Sequence, residues 1–202
     1  KMNHKEIIES ISADFKKSPE EIKFGEIKPV LSEINDALIH VRKWSERKKV
    51  STPLFLLGSR AEVLVEPKGV VLVVAPWNFP FMLTMGPVVS AIAAGNVVTI
   101  KPSELTPNTE QLILRMITEL FEEKDVAVVT GDAKTGAALI EQPWNHIFFT
   151  GSPNVGKMVM AAAAKNLTSV TLELGGRNPA IVDETANLKA AAEKLIWGKC
   201  FN

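Results

Sequence analysis

Cysteine is nearly absent. Cys200 is the only one in 202 residues, so no disulfide can form within the chain, and a reducing compartment, the cytoplasm, is expected. Histidine is almost as scarce, and His4, His40 and His146 share no metal-ligand spacing with Cys200, which leaves no metal site to expect. Neither sign of charge is in excess: 23 Lys and Arg balance 23 Asp and Glu, so the basic footprint of a nucleic-acid or anionic-membrane binder is missing. Long apolar runs are missing as well. The run at 70–76 is far below the ~20 residues a spanning helix needs, and no basic region followed by an apolar stretch opens the chain. Lys1 precedes Met2, which reads as a residue left ahead of a native start. There is no internal repeat and no low-complexity segment.

What is present is enough apolar content, 46%, for a real core, arranged with two periodicities. Asn3-x-x-Glu6 opens a helix with Ile7, Ile8, Ile11 and Phe15 on one face, and Ser18-Pro19-Glu20-Glu21 is a second start signal. Apolar positions at 27, 30, 31, 34, 38, 41 and 44 then describe a long amphipathic helix, bent near Pro29. Helices with one apolar face each should lie on the sheet that follows. Residues 47–57 read as a linker and 61–66 as a half-buried strand.

From residue 70 the pattern is regular. Strands are expected at 70–75, 97–100, 126–129, 146–150, 169–174 and 179–182, and helices at 82–94, 107–121 (capped by Thr106), 132–140, 153–166 and 188–197. This alternation predicts an α/β fold: a Rossmann-like, doubly wound open sheet over 61–202, preceded by a helical segment and linker over 1–60. Within it, residues 146–176 form a strand, a glycine turn at Gly151, a helix opened by Ser152-Pro153, and a second strand carrying Glu173: a βαβ crossover whose helix N-terminus suits a phosphate. Gly151-x4-Gly156-Lys157 also approaches a triphosphate-binding P-loop, but Met158 stands where that loop needs a hydroxyl for magnesium.

Ligands of such sheets bind beyond the carboxyl ends of the strands. Those ends read Ala-Pro-Trp-Asn-Phe-Pro (75–80), Lys-Pro-Ser-Glu (101–104), Phe-Thr-Gly-Ser (149–152) and Leu-Glu-Leu-Gly-Gly (172–176). In this order and spacing they resemble the aldehyde dehydrogenase superfamily. The likeness is greatest to the class 3 and fatty aldehyde dehydrogenase branch, through Phe-Gly-Glu-Ile near the start and Trp-Gly-Lys near the end. The resemblance implies NAD(P)-dependent oxidation of an aldehyde to an acid through a cysteine thioester, in a parent enzyme that is a homodimer. It makes Asn78 the side-chain donor to the substrate oxyanion and Glu173 the general base. Lys101 and Glu104 would hold the adenosine ribose, Gly151 and Ser152 the pyrophosphate, and Trp77 would line the nicotinamide region. Leu174 and Gly175 complete the cofactor-binding set. A carboxylate at Glu104 favours NAD over NADP, since it repels a 2′-phosphate.

One departure matters. The family's nucleophile follows Asn-x-Gly-Gln-x-Cys, and the chain stops at Cys200-Phe201-Asn202, where that signature begins. Cys200 lacks the Gly-Gln before it and is expected to be a small core residue. The expectation is therefore a cofactor-binding portion that does not turn over aldehyde by itself. The alternatives are a non-catalytic nucleotide-binding or interaction module, and a phosphotransferase, against which Met158 stands.

Overall fold

The computed structural model describes residues 4–201, so the expected cap Asn3 lies outside it. In chain order the elements are α1 (His4–Phe15), α2 (Pro19–Ile22), α3 (Lys28–Trp44), β1 (Lys48–Val50), β2 (Ala61–Val63), β3 (Val70–Val74), α4 (Met82–Ala93), β4 (Val97–Lys101), α5 (Pro107–Leu120), β5 (Val126–Val128), α6 (Ala133–Ile140), β6 (His146–Gly151), α7 (Pro153–Ala164), β7 (Ser169–Leu174) and α8 (Leu188–Cys200).

Five of the strands form one parallel sheet in the order β5-β4-β3-β6-β7. The chain starts in the middle at β3, winds outward to β5, then returns to β6 beside β3. The direction of winding thus reverses between β3 and β6. Successive residues of β3 face opposite sides, so Val71 and Val73 enter a core with α4 and α5 while Leu72 enters a second core with Ile147, Phe149 and Val159 of the β6–α7 side. A strand covered on both faces has no place for a polar residue, which explains the unbroken apolar run.

The N-terminal helices depart from expectation. They share the first core through Ile7, Ile11, Ile22, Ile27 and Val30, but α1 packs on α5 and α3 packs on α4, a layer outside the helices that cover the sheet. The sheet face was already occupied. Two carboxylates fasten this outer layer. Asp14, near the end of α1, accepts from the amides of Asn108 (3.1 Å) and Thr109 (2.9 Å) and so caps α5. Thr106, the expected cap, instead donates its hydroxyl to Ser103 O. Glu26 caps α4 through the amides of Phe81 (3.1 Å) and Met82 (2.9 Å). Helix ends need acceptors for their first amides, and here both come from about 55 to 95 residues away in sequence.

The bend expected at Pro29 is a widened π-helical turn at Lys23–Ile27, where the Lys28 amide reaches back to Lys23 O; Pro29 follows in the first turn of α3, where no amide is required. Residues 47–57 are not simply a linker, because β1 pairs antiparallel with β2 (Lys48 opposite Val63). The strand expected at 61–66 stops at Val63, where its three-residue partner ends. The expected strand at 179–182 does not form. No described strand lies beside it, Ile181 is 90% exposed, and a short apolar run without a ladder partner has no strand to join.

Candidate active site

The reversal between β3 and β6 leaves a crevice at the carboxyl ends of the strands, and a groove of about 1120 Å³ opens there. Trp77, Asn78, Glu104, Gly151, Ser152, Glu173, Leu174 and Gly175 all line it, brought together at the carboxyl ends of four strands. Of the residues expected from sequence, Lys101 alone stands behind the wall rather than in it. It is 3% exposed, and its ammonium donates to Glu104 Oε2 (3.1 Å) and to Pro102 O. Glu104 faces the groove with Lys101 holding it from below.

On the loop after β3, Trp77 is about half exposed and stacks on Phe15 of α1, with ring centroids 6.2 Å apart. Asn78 beside it is half-buried. Its backbone carbonyl accepts from Lys17 Nζ (2.8 Å), whereas its side-chain amide has no partner among the described residues. An uncommitted amide at the mouth of a crevice can donate to a ligand oxygen. Glu173, exposed near the end of β7 opposite Thr150, likewise has no hydrogen-bond or ion-pair partner among the described residues. A carboxylate so placed can accept a proton from a water in the groove.

At the end of β6 the packing explains the glycines. A Cβ on Gly151 would lie 2.5 Å from the Phe149 ring of its own strand, and one on Gly156 of α7 would lie 2.9 Å from Leu174 of β7, so that helix and strand meet closely only because residue 156 has no side chain. Only Ser152 separates β6 from α7. No loop remains to wrap a triphosphate, which agrees with the argument from Met158. Ser152 caps the helix by accepting from Val155 N (3.3 Å), Gly156 N bonds Ser152 O, and Pro153 has no N–H, leaving Asn154 N–H as the first-turn donor available to an anion.

The groove continues along the sheet face that carries His146, Phe148 and Thr150 of β6 and Ser169, Thr171 and Glu173 of β7. His146 lies between the hydroxyls of Ser169 (2.8 Å) and Thr171 (3.1 Å), and burial, aided by the charge of Lys68, holds its pKa below the usual imidazole value. The Thr150 hydroxyl is buried without a partner among the described residues, facing the groove. A buried hydroxyl left unpaired costs stability unless a ligand completes it. With the open space at Gly175, it makes the site compatible with an elongated polar ligand such as a dinucleotide.

Cys200 is outside the groove, exposed near the end of α8, which buries none of its described residues. The expectation of a core cysteine fails, because that helix presents no face to the core.

Residues 1–202 match the sequence pattern of the Aldehyde dehydrogenase family throughout. The chain belongs to the aldehyde dehydrogenase family. It is 43% identical over 194 residues to aldehyde dehydrogenase family 3 member B1 of Bos taurus, with 96% of this chain and 42% of that protein covered. Among solved structures, the substrate-bound state of Staphylococcus aureus AldH superposes with a TM-score of 0.94 at 45% identity, covering 96% of this chain and 43% of that one. PnpE in complex with nicotinamide adenine dinucleotide superposes at 0.85 with 32% identity, covering 96% and 40%. The chain spans under half the length of the curated relatives it matches.

Sequence reasoning missed Asp14, Lys17 and Glu26, which hold the site from outside. A signal existed for one of them: Glu26 falls four residues after Ile22 and four before Val30, on the buried stripe, where an unpaired carboxylate would be costly.

Proposed function

We propose that this chain carries the nicotinamide-cofactor site and two of the polar catalytic groups of an enzyme that oxidises an aldehyde to a carboxylic acid. The observation that carries the reading is the convergence of an unpartnered amide, Asn78, and an unpartnered carboxylate, Glu173, on one groove at the winding reversal. The cofactor, when bound, accepts the hydride. The residues of this chain bind and orient it: Glu104, braced by Lys101, accepts from the ribose hydroxyls, Ser152 and the first turn of α7 receive the pyrophosphate, and Trp77 bounds the nicotinamide end. Leu174 and Gly175 form the opposite wall. Asn78 donates to the oxygen that becomes negative when a thiol adds to the aldehyde carbonyl. Glu173 takes a proton from the water that hydrolyses the resulting thioester. None of the described residues lining the groove carries a thiol, and in this reading another residue supplies the nucleophile.

A native mass spectrum tests this. The 22.0 kDa chain is expected to gain one NAD, and adding an aldehyde to that complex is expected to produce no NADH. Absence of bound NAD counts against the cofactor site, and NADH formation counts against an external nucleophile.

Glu104 sets the cofactor preference in this reading, with NAD favoured over NADP. Replacing Glu104 by Gln removes the charge that would face a 2′-phosphate and releases the Lys101 ammonium, and both changes act in the same direction. The ratio of NADP to NAD affinity is expected to rise by about three- to tenfold, discounted for the partial exposure of Glu104. Titration calorimetry with each nucleotide measures it, and an unmoved ratio would discard the ribose assignment.

A further inference from the structure

We propose that the buried Lys17–Glu26 ion pair is a positioning device for Asn78, holding the loop that aims its side-chain amide. This rests on the reading of Asn78 as oxyanion donor. Lys17 Nζ lies 2.8 Å from Asn78 O and 3.5 Å from Glu26 Oε1, and it also sits over the rings of Phe79 (4.4 Å) and Phe15 (4.9 Å). Glu26 is fully buried, and its other oxygen accepts from Phe81 N and Met82 N. The pair therefore grips the backbone on both sides of the loop: a carbonyl at 78 and two amides at 81 and 82. Burial pushes the Glu26 carboxyl above its ordinary pKa, against the opposing pull of the Met82 amide and the Lys17 charge.

Stability is a poor explanation for such a pair. Apolar residues of similar volume often serve a core equally well or better, since both ions must give up their water. Apolar residues cannot, however, fix the direction of the Asn78 peptide or hold the first amides of α4. What the charges add is geometry. Phe15 extends the same arrangement by stacking on Trp77, so α1 and the π-helical turn together form a bracket behind the loop. Asn78 itself spends only its backbone carbonyl on the bracket, which leaves the side-chain amide free.

The test is the double variant Lys17→Met/Glu26→Gln, which removes both charges together and leaves no lone buried ion. In the thiol-bearing enzyme, kcat is expected to fall about tenfold while the NAD dissociation constant stays within about twofold, because misplacement of a catalytic group costs rate rather than cofactor affinity. In an Asn78→Ala background the same double variant is expected to cost less than about twofold, since the aimed group is gone. An equal loss in both backgrounds, or no loss in either, would overturn the proposal. A parallel readout needs no turnover: in ¹⁵N spectra of this chain, the Asn78 side-chain amide should shift and the Phe81 and Met82 amides should lose exchange protection. If the enzyme oxidises no aldehyde, the role given to Asn78 fails, and the spectra alone decide whether the pair orders the loop; unchanged spectra would reject it.

Discussion

In the thiol-bearing enzyme, Asn78→Ala is expected to lower kcat for aldehyde oxidation by about 10²- to 10³-fold, the usual effect of deleting one preorganised oxyanion donor. The size follows from when the charge arises. A carbonyl oxygen in the ground state is a modest acceptor, whereas the tetrahedral oxyanion carries a full charge. A donor already in place gains most of its worth at that moment and spends nothing on reorientation. Asn78 fits because its amide is uncommitted and its backbone is gripped from behind by Lys17. An uncharged donor also avoids stabilising the wrong state of the groove before attack. NAD affinity should be unchanged, as no cofactor contact is assigned to this amide. Steady-state kinetics beside NAD titration separate the two, and a variant retaining more than about a third of the parent kcat would remove Asn78 from the chemistry.

In the same thiol-bearing enzyme, Glu173→Gln is expected to act on the second half of the reaction. Hydrolysis of the thioester needs a base for the incoming water, and its loss costs about 100-fold or more. Glutamine keeps the shape and can still hold a water, but it cannot take the proton. The acyl-enzyme should therefore accumulate: a burst of one NADH per site, then slow turnover. The position supports this, since the carboxylate stands in the groove opposite Thr150 with no described partner to tie it down. A strand-end acid committed to an ion pair would be a poor base. If the variant shows no burst and its steady rate matches the parent, water activation belongs to another group.

Much of this was legible in the chain. The sheet announced itself in runs such as Val70–Val74, because a strand covered on both faces must be apolar throughout, and the positions of Asn78, Glu104, Ser152 and Glu173 followed from the rule that polar residues gather at the strand ends. The roles proposed for them rest on a resemblance carried by four short motifs read together, each weak alone. The failures share a cause. Residues 179–182 and 47–57 were assigned from composition, but strands are fixed by partners: the first has none among the described residues and the second pairs with β2.

The sequence by itself thus determined which segments alternate and which loops would meet at one end of the sheet, because hydrophobic period and strand direction are local properties that a parallel topology carries into space. Only the tertiary structure decided that α1 and α3 lie outside α4 and α5, that Asp14 and Glu26 cap helices far along the chain, and that Lys101 stands behind Glu104 rather than in the groove. It also placed Cys200 away from the groove. These depend on which buried donor finds which acceptor once the core has closed. Nothing in the spacing of residues one turn or one strand apart records that choice.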